Sequence, residues 1–428
     1  MVKPAGGSLR SQTWDEQNLV RRLCHALDIA SLAIKHLARG GYKFGDGPAA
    51  AIRREKPIAE TAVLLYAASF AKHHCGVQDR IHRVAGELEP HVRSREMKLG
   101  LALSPSLALD YSIGHILLTR LGYPDAAFET LLQQGLSAQG RGGHERTPHR
   151  TMEQQWLANL CGEGVAPGTA TMGTTARTSI LSRPMDLFCA SDTELYAFTH
   201  AIMYATGFQR DPANLPRSRG TILAETECSL ARCLDNQDYD LSAEILLAWP
   251  LTGKRWTSAA TFGFHVLADV EDKAGFLPTP ATRVSELKAR EGEDRSQYLL
   301  ATAYHTAFTM GLLCAGALQP GCAPPARISP TKARRKAVDQ MLRLLEDGKP
   351  APHWRDTFDK LSPHQAASLA GFLFNVALQR RAAAHDFGGL NDVLRQGYDL
   401  ELADTPAASQ AAELLQRIAT FARSGSSL

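Results

Sequence analysis

The sequence predicts an all-α protein built from stacked antiparallel helical hairpins. Almost every apolar pattern in it repeats with the period of an α-helix, and the alternating runs typical of strands are scarce. The segments between these patterns are rich in Gly and Pro, which end one helix and let the next begin. Short connections between long helices place neighbours antiparallel. We therefore expect the hairpins to assemble into an α/α toroid or another closed helical array.

The predicted helices are separated by stops that combine a glycine with a proline. These stops are RGGYKFGDGP, LGYPD, TGFQRDPANLP, ALQPGCAPP and DGKPAPH. Glycine readily leaves the helical conformation, and proline cannot continue a helix because it lacks the backbone N–H. In chain order, the helices are predicted near 14–39, 57–75, 78–88, 104–121, 125–137, 149–160, 191–206, 219–234, 239–249, 256–271, 294–317, 331–346, 362–383 and 406–423.

One long irregular stretch divides the chain into two helical parts. It contains CGEGVAPGTATMGTTARTSILSRPMD, which is rich in Gly, Thr and Ala and has no sustained period. A loop of this length in a compact protein is typically functional or a linker. We predict an N-terminal helical part at 1–160, a linker or flap at 161–190 and a C-terminal helical part at 191–428. One continuous array across all three is the alternative.

Composition and charge argue against several classes of protein. The 47 Lys and Arg residues against 44 Asp and Glu give a formal charge of +3, which is too small an excess for a typical nucleic-acid binder. The eight cysteines contain no CxxC pair, and the first residues lack the apolar core of a secretory signal. We therefore expect no nucleic-acid partner, reduced thiols and a cytoplasmic location.

An uncharged segment at 298–318 raises the question of whether the chain spans a membrane. Its 21 residues are long enough to span a bilayer. The segment carries Tyr304 and His305, however, and a polar histidine is costly in lipid unless it has a partner. No second segment of this kind occurs in the sequence. We expect a fully buried core helix and no membrane association.

A Tyr/His arrangement recurs in two of the predicted helices. The segments DYSIGHILLTRLGY (110–123) and LYAFTHAIMYATGF (195–208) share the pattern Y-x3-H-x6-G-aromatic. Residues four apart lie on one face of a helix, so the tyrosine and histidine of each pair point the same way. The two pairs are Tyr111 with His115 and Tyr196 with His200.

A third apolar helix carries a partial version of the same arrangement. In YHTAFTMG, Tyr304 and His305 are adjacent, and the histidine precedes a glycine, Gly311, by six residues. Helices in a closed array can direct such side chains at one interior space. We therefore predict a site with histidine as acid or base and tyrosine as its hydrogen-bond partner. Its candidate catalytic residues are His200, His305, His115, Tyr196, Tyr304 and Tyr111.

Other interpretations of these residues stay open at this point. A buried imidazole must find a hydrogen-bond partner, so each histidine could serve packing alone. The histidines could also bind a transition metal, and the cofactor is therefore unknown. No set of Cys and His with the spacing of a tetrahedral zinc site is present.

The acid-rich run DNQDYDLSAE (235–244) is a weaker candidate site. It is similar to the Mg²⁺–diphosphate motif of helical prenyl and terpene enzymes, but it lacks their adjacent pair of aspartates. It also falls at the predicted start of a helix, where acids are favoured by the helix dipole. We interpret its carboxylates, which are Asp235, Asp238, Asp240 and Glu244, mainly as residues of a helix start.

Two segments resemble parts of a known family. ELYAFTH (194–200) and YHTAFTMGLLCA (304–315) resemble a bacterial all-helical family associated with natural-product gene neighbourhoods, and the resemblance covers about 105–318. It implies no particular reaction. The hairpin layout is also similar to the α/α toroids of terpenoid and lanthionine cyclases. Their DxDD and Cys/Cys/His signatures are absent here, which argues against both cyclisation chemistries.

From these observations we expect an enzyme that modifies a small molecule or a peptide, in natural-product biosynthesis. Its His and Tyr residues would line a central pocket of the helical array. The competing hypothesis is a non-catalytic helical-repeat scaffold that holds a partner protein or peptide on a concave surface. Convergence of the Tyr/His pairs on one cavity would favour the enzyme, and their dispersal among separate packing contacts would favour the scaffold.

Overall fold

The computed structural model describes residues 15–37, 41–43, 51–138, 145–162, 171–208, 214–331, 335–346 and 352–424. Within these ranges nearly all regular structure is helical, which confirms the all-α prediction. The exception there is an antiparallel pair of two-residue strands, β1 (Tyr42–Lys43) and β2 (Ala51–Ile52), in which Tyr42 pairs with Ile52.

The described ranges contain 21 α-helices. The first nine are α1 (Glu16–Lys35), α2 (Glu55–Ser69), α3 (Val77–Val92), α4 (Arg95–Leu103), α5 (Ala108–Arg120), α6 (Ala126–Ala138), α7 (Pro148–Cys161), α8 (Met172–Ala176) and α9 (Asp192–Thr206). The next six are α10 (Arg219–Asp235), α11 (Tyr239–Leu246), α12 (Ala248–Thr252), α13 (Ser258–Ala274), α14 (Val284–Lys288) and α15 (Gly292–Ala317). The C-terminal ones are α16 (Arg335–Leu344), α17 (His353–Phe358), α18 (Pro363–Ala367), α19 (Ala370–Ala383), α20 (Phe387–Asp399) and α21 (Pro406–Arg423).

Six of these helices form a closed ring. In the order α2, α5, α7, α9, α11 and α15, each packs against the next, and α15 packs against α2 to complete the circle. Helices α1, α3, α4, α6, α10 and α13 cover the ring from outside, and α19 and α21 add a further layer on α10. The protein is therefore a closed helical array, as the sequence predicts.

The ring helices run in the same direction. Tyr196 of α9 contacts Asp240 of α11. One turn later in both helices, His200 contacts Glu244. The contacts between α7 and α9, and those of α15 with α2 and α11, advance in the same sense. So do those of α5 with α7 and the residues just before it, where Asp110 contacts Arg146 and Arg120 contacts Leu160. Equivalent ends of the helices therefore lie at the same end of the ring, and the chain returns outside it between them.

Gly311 allows α15 to pack closely against α1 and α2. A Cβ atom at this position would lie 2.6 Å from the Cβ of Ala26 and 2.8 Å from Cδ1 of Leu64. Both distances are shorter than real carbon contacts allow, so a larger residue would force the helices apart. This contact fixes the position of α15, and with it the position of His305, six residues earlier.

Helix α15 contains the uncharged segment considered for a membrane. By length and composition it could cross a bilayer, and the bent pair of α4 and α5 would pass the same test if counted as one span, among the described residues. In the structure, 72% of the most apolar window of α15 is buried. It lies against α1, α2 and α11, which is the placement expected for the core helix at 298–318.

Several helix boundaries differ from those predicted. Helices α4 and α20 were not predicted, although each starts with an N-cap: Ser94 accepts from the Met97 amide, and Asp386 accepts from the Gly389 amide. The helix predicted at 362–383 is interrupted between α18 and α19. Glycines near the start of α20 lower its helix propensity, so its sequence pattern is weak.

The segment predicted as a linker or flap is only partly described. Residues 163–170 lie outside the described ranges, while the rest of 161–190 contains α8 and a 3-10 turn at Ile180–Ser182. Three ring helices precede this segment in the chain and three follow it. Both helical parts named in the sequence thus contribute to one ring.

Candidate functional site

The ring encloses a cavity of about 560 Å³, which is a typical size for a small-molecule site. All six ring helices contribute to its lining, and both His200 and His305 are part of it. Buried carboxylates lie beside these two histidines. The charged lining residues are Arg53, Glu55, Lys56, Glu60, Asp110, Arg150, Glu153 and Glu244.

His200 lies on the cavity side of α9. Its Nε2 atom is 3.5 Å from Oε1 of Glu244, and its side chain remains 25% exposed. Glu244 is almost fully buried and is held from its other oxygen by the Thr199 hydroxyl, which donates to Oε2 at 2.5 Å. The Nδ1 atom of His200 has no hydrogen bond or ion pair with the described part of the chain. One ring nitrogen is therefore oriented by a carboxylate, and the other is available to a ligand.

His305 is held through both of its ring nitrogens. Nδ1 lies 3.2 Å from Oε2 of Glu60, and Nε2 lies 3.3 Å from Oδ2 of Asp240. Nε2 is also 3.9 Å from Oε1 of Glu244, the same oxygen that His200 contacts. The two histidines come from helices far apart in the sequence and converge on one carboxylate oxygen.

Asp240 is oriented by hydroxyl groups from two helices. The Tyr196 hydroxyl donates to its Oδ2 at 2.6 Å, and the Thr309 hydroxyl is 3.2 Å from its Oδ1. Together with His305, these contacts occupy both oxygens of the carboxylate. The predicted site residue Tyr196 therefore acts on the site indirectly, by holding Asp240.

The pKa values of both histidines are raised by the neighbouring carboxylates. Burial alone would lower the pKa of His305, but Asp240 and Glu60 raise it to about 10. Burial likewise opposes the charged form of His200, yet Glu244 and, more distantly, Glu153 raise its pKa above the ordinary value. His305 is therefore expected to carry a proton at neutral pH, and His200 holds a proton more readily than an ordinary histidine.

The carboxylates respond differently to the same environment. Burial raises the pKa of Glu244, but the charges of His200 and His305 outweigh it and lower the net value. The pKa of Glu60 is lowered in the same way, chiefly by His305. For Asp240, burial dominates and raises the pKa in spite of His305. The centre thus contains two stabilised carboxylates and a third that binds a proton more readily.

A second cluster of polar side chains lies next to His200. The Tyr204 hydroxyl donates to Oε1 of Glu153 at 2.6 Å, and Arg150 donates to Oε2 of the same residue at 2.8 Å. The ring of His149 is 6.2 Å from that of His200, and burial together with the His200 charge lowers the pKa of His149 to about 4. The neutral imidazole of His149 therefore lies beside one that binds a proton more readily than an ordinary histidine.

The sequence-predicted residues do not all reach the cavity. Tyr304 is buried between the rings of Tyr42 and Phe308, with centroids 5.6 and 5.3 Å away, and does not line the cavity. Burial and the nearby Glu60 carboxylate raise its pKa. Tyr304 thus lies behind the site.

The predicted pair of Tyr111 and His115 lies elsewhere. His115 is fully buried, with Nε2 3.1 Å from Oε2 of Glu129 and its ring 4.5 Å from that of Phe128. Tyr111 lies against Gly100 of α4. The part of α5 that lines the cavity is the face with Asp110 and Ile113, and His115 is about 200° further round the helix than Ile113. The expectation that this pair shares the cavity was wrong, because equal spacing fixes a common face but not its orientation in the ring.

The metal hypothesis receives no support from the arrangement. Among the described residues, no group of three or more His, Cys, Asp or Glu side chains is placed to hold a metal ion. The histidine nitrogens are instead at ion-pair distances from carboxylates. This geometry is suited to proton transfer and to electrostatic stabilisation.

Four acidic residues of the site are not among the catalytic residues predicted from the sequence. Asp240 and Glu244 were noticed but interpreted as residues of a helix start, and Glu60 and Glu153 were not singled out. A signal was present, because Asp240 and Glu244 are four residues apart on a helix whose other residues are apolar or small. Two acids on one face of a buried helix require partners.

Comparisons with known proteins assign the chain to a family but identify no reaction. No curated protein and no solved structure matches the chain. A family model described as a domain of unknown function (DUF6895) matches residues 26–315, which is more than half of the chain and reaches from before α2 to the last turn of α15. The protein therefore belongs to the DUF6895 family.

Proposed function

We propose that this protein is an enzyme that acts on a small molecule or a peptide-like substrate inside the six-helix ring. His200 transfers the proton, and Glu244 orients it. His305, Asp240 and Glu60 form the charged surroundings that keep this pair in place. The observation that carries the proposal is the convergence of His200 and His305 on Oε1 of Glu244 in the wall of the cavity.

The energetics of buried charge support a functional role. Removing ions from water is costly, and well-packed apolar residues of similar size often give equal or greater stability than a buried ion pair. Here Glu244 is 3% exposed and Asp240 10%, and both lie beside imidazoles. Such groups with shifted pKa values in a cavity are typical of acid–base sites.

The two histidines have different roles. His305 is held between Glu60 and Asp240 and stays charged, so it stabilises negative charge and keeps the carboxylates in position. His200 uses one nitrogen for Glu244 and presents the rest of its ring to the cavity. The same logic of a carboxylate-oriented imidazole operates in hydrolases with a catalytic triad.

The protonation states define the direction of the first transfer. Because the Glu244 carboxylate favours its charged form, we assign His200 as the imidazolium that donates a proton to the substrate. The neutral imidazole can then take a proton back from another position or from water. Glu244 stabilises the charged form at both ends of this cycle. The resemblance noted in the sequence leads us to propose natural-product biosynthesis as the setting.

The test compares three forms of the protein in a complex mixture of small molecules. Wild type, His200→Gln and His115→Gln would be incubated with a metabolite extract, and the compounds consumed or formed would be followed by mass spectrometry. Glutamine retains hydrogen-bonding capacity but cannot transfer the proton. His115→Gln is the matched control, because that histidine is buried outside the cavity.

We expect wild type and His115→Gln to convert the same compound and His200→Gln to convert it at least a hundredfold more slowly, as is usual when a general acid is removed. Circular dichroism would establish that both variants are folded. Conversion at the wild-type rate by folded His200→Gln, or no conversion by the wild type, would overturn the proposal.

A further inference from the structure

The cavity has a charged end and an apolar end. On α2, the exposed Lys56 lines the cavity near the start of the helix, and Val63 lines it two turns later in the chain. On α7, Arg150 comes first and the buried Leu157 follows, again two turns later. Residues seven apart lie on one face of a helix. Because the ring helices run in the same direction, the charged positions share one end of the cavity and the apolar positions share the other.

The same order holds on the helices that carry the histidines. On α15, His305 is followed by Phe308 and Leu312. His200 of α9 is followed by Met203 on the same helix and by Phe208 just after its end. The histidines therefore lie between the charged end and the apolar end. A polar group at His200 would have apolar protein surface on one side.

An aromatic cluster packs behind the apolar end, and its member Phe208 lines the cavity. The ring of Phe208 is 5.2 Å from that of Trp156, and Trp156 is 5.7 Å from Tyr66. Trp156 and Phe208 are only 4% exposed and Tyr66 only 5%. Tyr66 also packs edge-on against Phe70. The apolar end is therefore backed by packed rings, which favour an apolar ligand segment there.

The charged end carries both signs. Lys56 is 3.6 Å from Glu60, and Arg150 is paired with Glu153 at 2.8 Å. The exposed Arg53 and the partly buried Glu55 add one charge of each sign. This mixture suits a polar or zwitterionic head group better than a group of a single charge.

We propose that the substrate is an amphiphile that enters with its apolar end first. Its apolar segment lies along Phe308 and Leu312 and ends at the aromatic cluster, and its polar reacting group lies at His200. Seven residues of helix separate His305 from Leu312, which corresponds to about 10 Å of apolar wall. This inference rests on the proposed function of the same cavity, because it places the reacting group at His200.

The inference is tested with straight-chain alcohols from 1-butanol to 1-dodecanol, which share one uncharged head group. Isothermal titration of the wild-type protein should show affinity rising about fourfold for each added methylene, the value for full burial of the group. The rise should stop once the extended chain exceeds about 10 Å. An affinity that does not depend on chain length would overturn the proposal.

Two substitutions locate the binding site of the chain. Val63→Phe adds volume to the apolar wall and should reduce the affinity for the longest bound alcohol at least tenfold, with little effect on 1-butanol. Leu312→Asn should weaken every chain that reaches it. Leu99→Asn is the matched control, because Leu99 is 45% exposed on α4 and does not line the cavity. Wild-type chain-length dependence in folded Val63→Phe and Leu312→Asn would refute this location.

The failure of this inference can be separated from the failure of the proposed function. In His200→Gln the affinity should rise by the same factor for each added methylene as in the wild type, because the apolar wall is unchanged. Chain-length-dependent binding without any conversion that depends on His200 would reject the enzyme and retain the apolar site. Conversion of a wholly polar compound that depends on His200, without alcohol binding, would reject the amphiphile and retain the enzyme.

Discussion

Replacing His305 by glutamine tests whether this residue is the charged centre of the site. In the structure its two nitrogens lie 3.2 Å from Glu60 and 3.3 Å from Asp240. Breaking a buried ion pair by removing one partner typically costs about 3–5 kcal/mol, because the remaining charge is left without compensation. Glutamine can restore part of the hydrogen bonding but none of the positive charge. We expect His305→Gln to lower the free energy of unfolding at pH 7 by an amount in this range.

The effect should depend on pH with a defined sign. The pKa of His305 is raised from 6.5 to about 10 in the folded protein. The folded state thus holds the proton more tightly than the unfolded chain. Its contribution to stability is complete below about pH 6.5 and is lost as the pH rises toward 10. The loss is about 1.4 kcal/mol per pH unit, or roughly 3 kcal/mol between pH 7 and pH 9.

Urea unfolding followed by helical circular dichroism at pH 7, 8 and 9 would measure this effect. The difference in stability between wild type and His305→Gln should be largest at pH 7 and should shrink steadily toward pH 9. His364→Gln is the control, because His364 is exposed on α18, and its substitution should change stability little at any of these pH values. A difference between wild type and His305→Gln that stays constant from pH 7 to pH 9 would refute a charged His305.

Two further predictions concern the shared carboxylate and the packing of α15. Glu244→Gln should lower the pKa of His200, because the carboxylate that raises it is lost, and an unchanged His200 pKa in an NMR titration would contradict the ion pair. Gly311→Ala should destabilise the protein by about 1–3 kcal/mol in urea unfolding, because the added methyl group meets α1 and α2. Gly86→Ala on the exposed face of α3 should instead stabilise it by up to about 1 kcal/mol, since nothing lies within 4 Å of the new atom. Equal effects of the two alanines would show that α15 packs differently.

The helical architecture was largely contained in the sequence. Apolar periodicity and the Gly/Pro stops predict the ring helices, because a helix buries one face and its end needs a residue that can leave the helical conformation. Helix α9, which carries His200, starts with Ser191 as its N-cap, and Glu194 completes a capping box. This start is a local signal in the sequence. The N-caps of α4 and α20 were equally local signals, and weak apolar patterns hid them.

Only part of the site could be predicted from the sequence. His200 and His305 stood out, because an imidazole inside an apolar helix needs a partner. The partners could not be identified in this way. Glu60 and Asp240 are separated by 180 positions in the chain, and only the closure of α2, α11 and α15 into one ring brings both to His305.

The rotation of each helix was decided by tertiary packing alone. The Tyr/His spacing is the same on α5 and α9, yet His200 faces the cavity and His115 faces Glu129 of α6. Sequence periodicity determines which residues share a helix face, because that depends on the geometry of a single helix. Which face of a helix points into the ring depends on the helices packed on both sides of it. In this protein, Gly311 and the outer helices determine the rotation of the ring helices, through contacts between residues far apart in the chain.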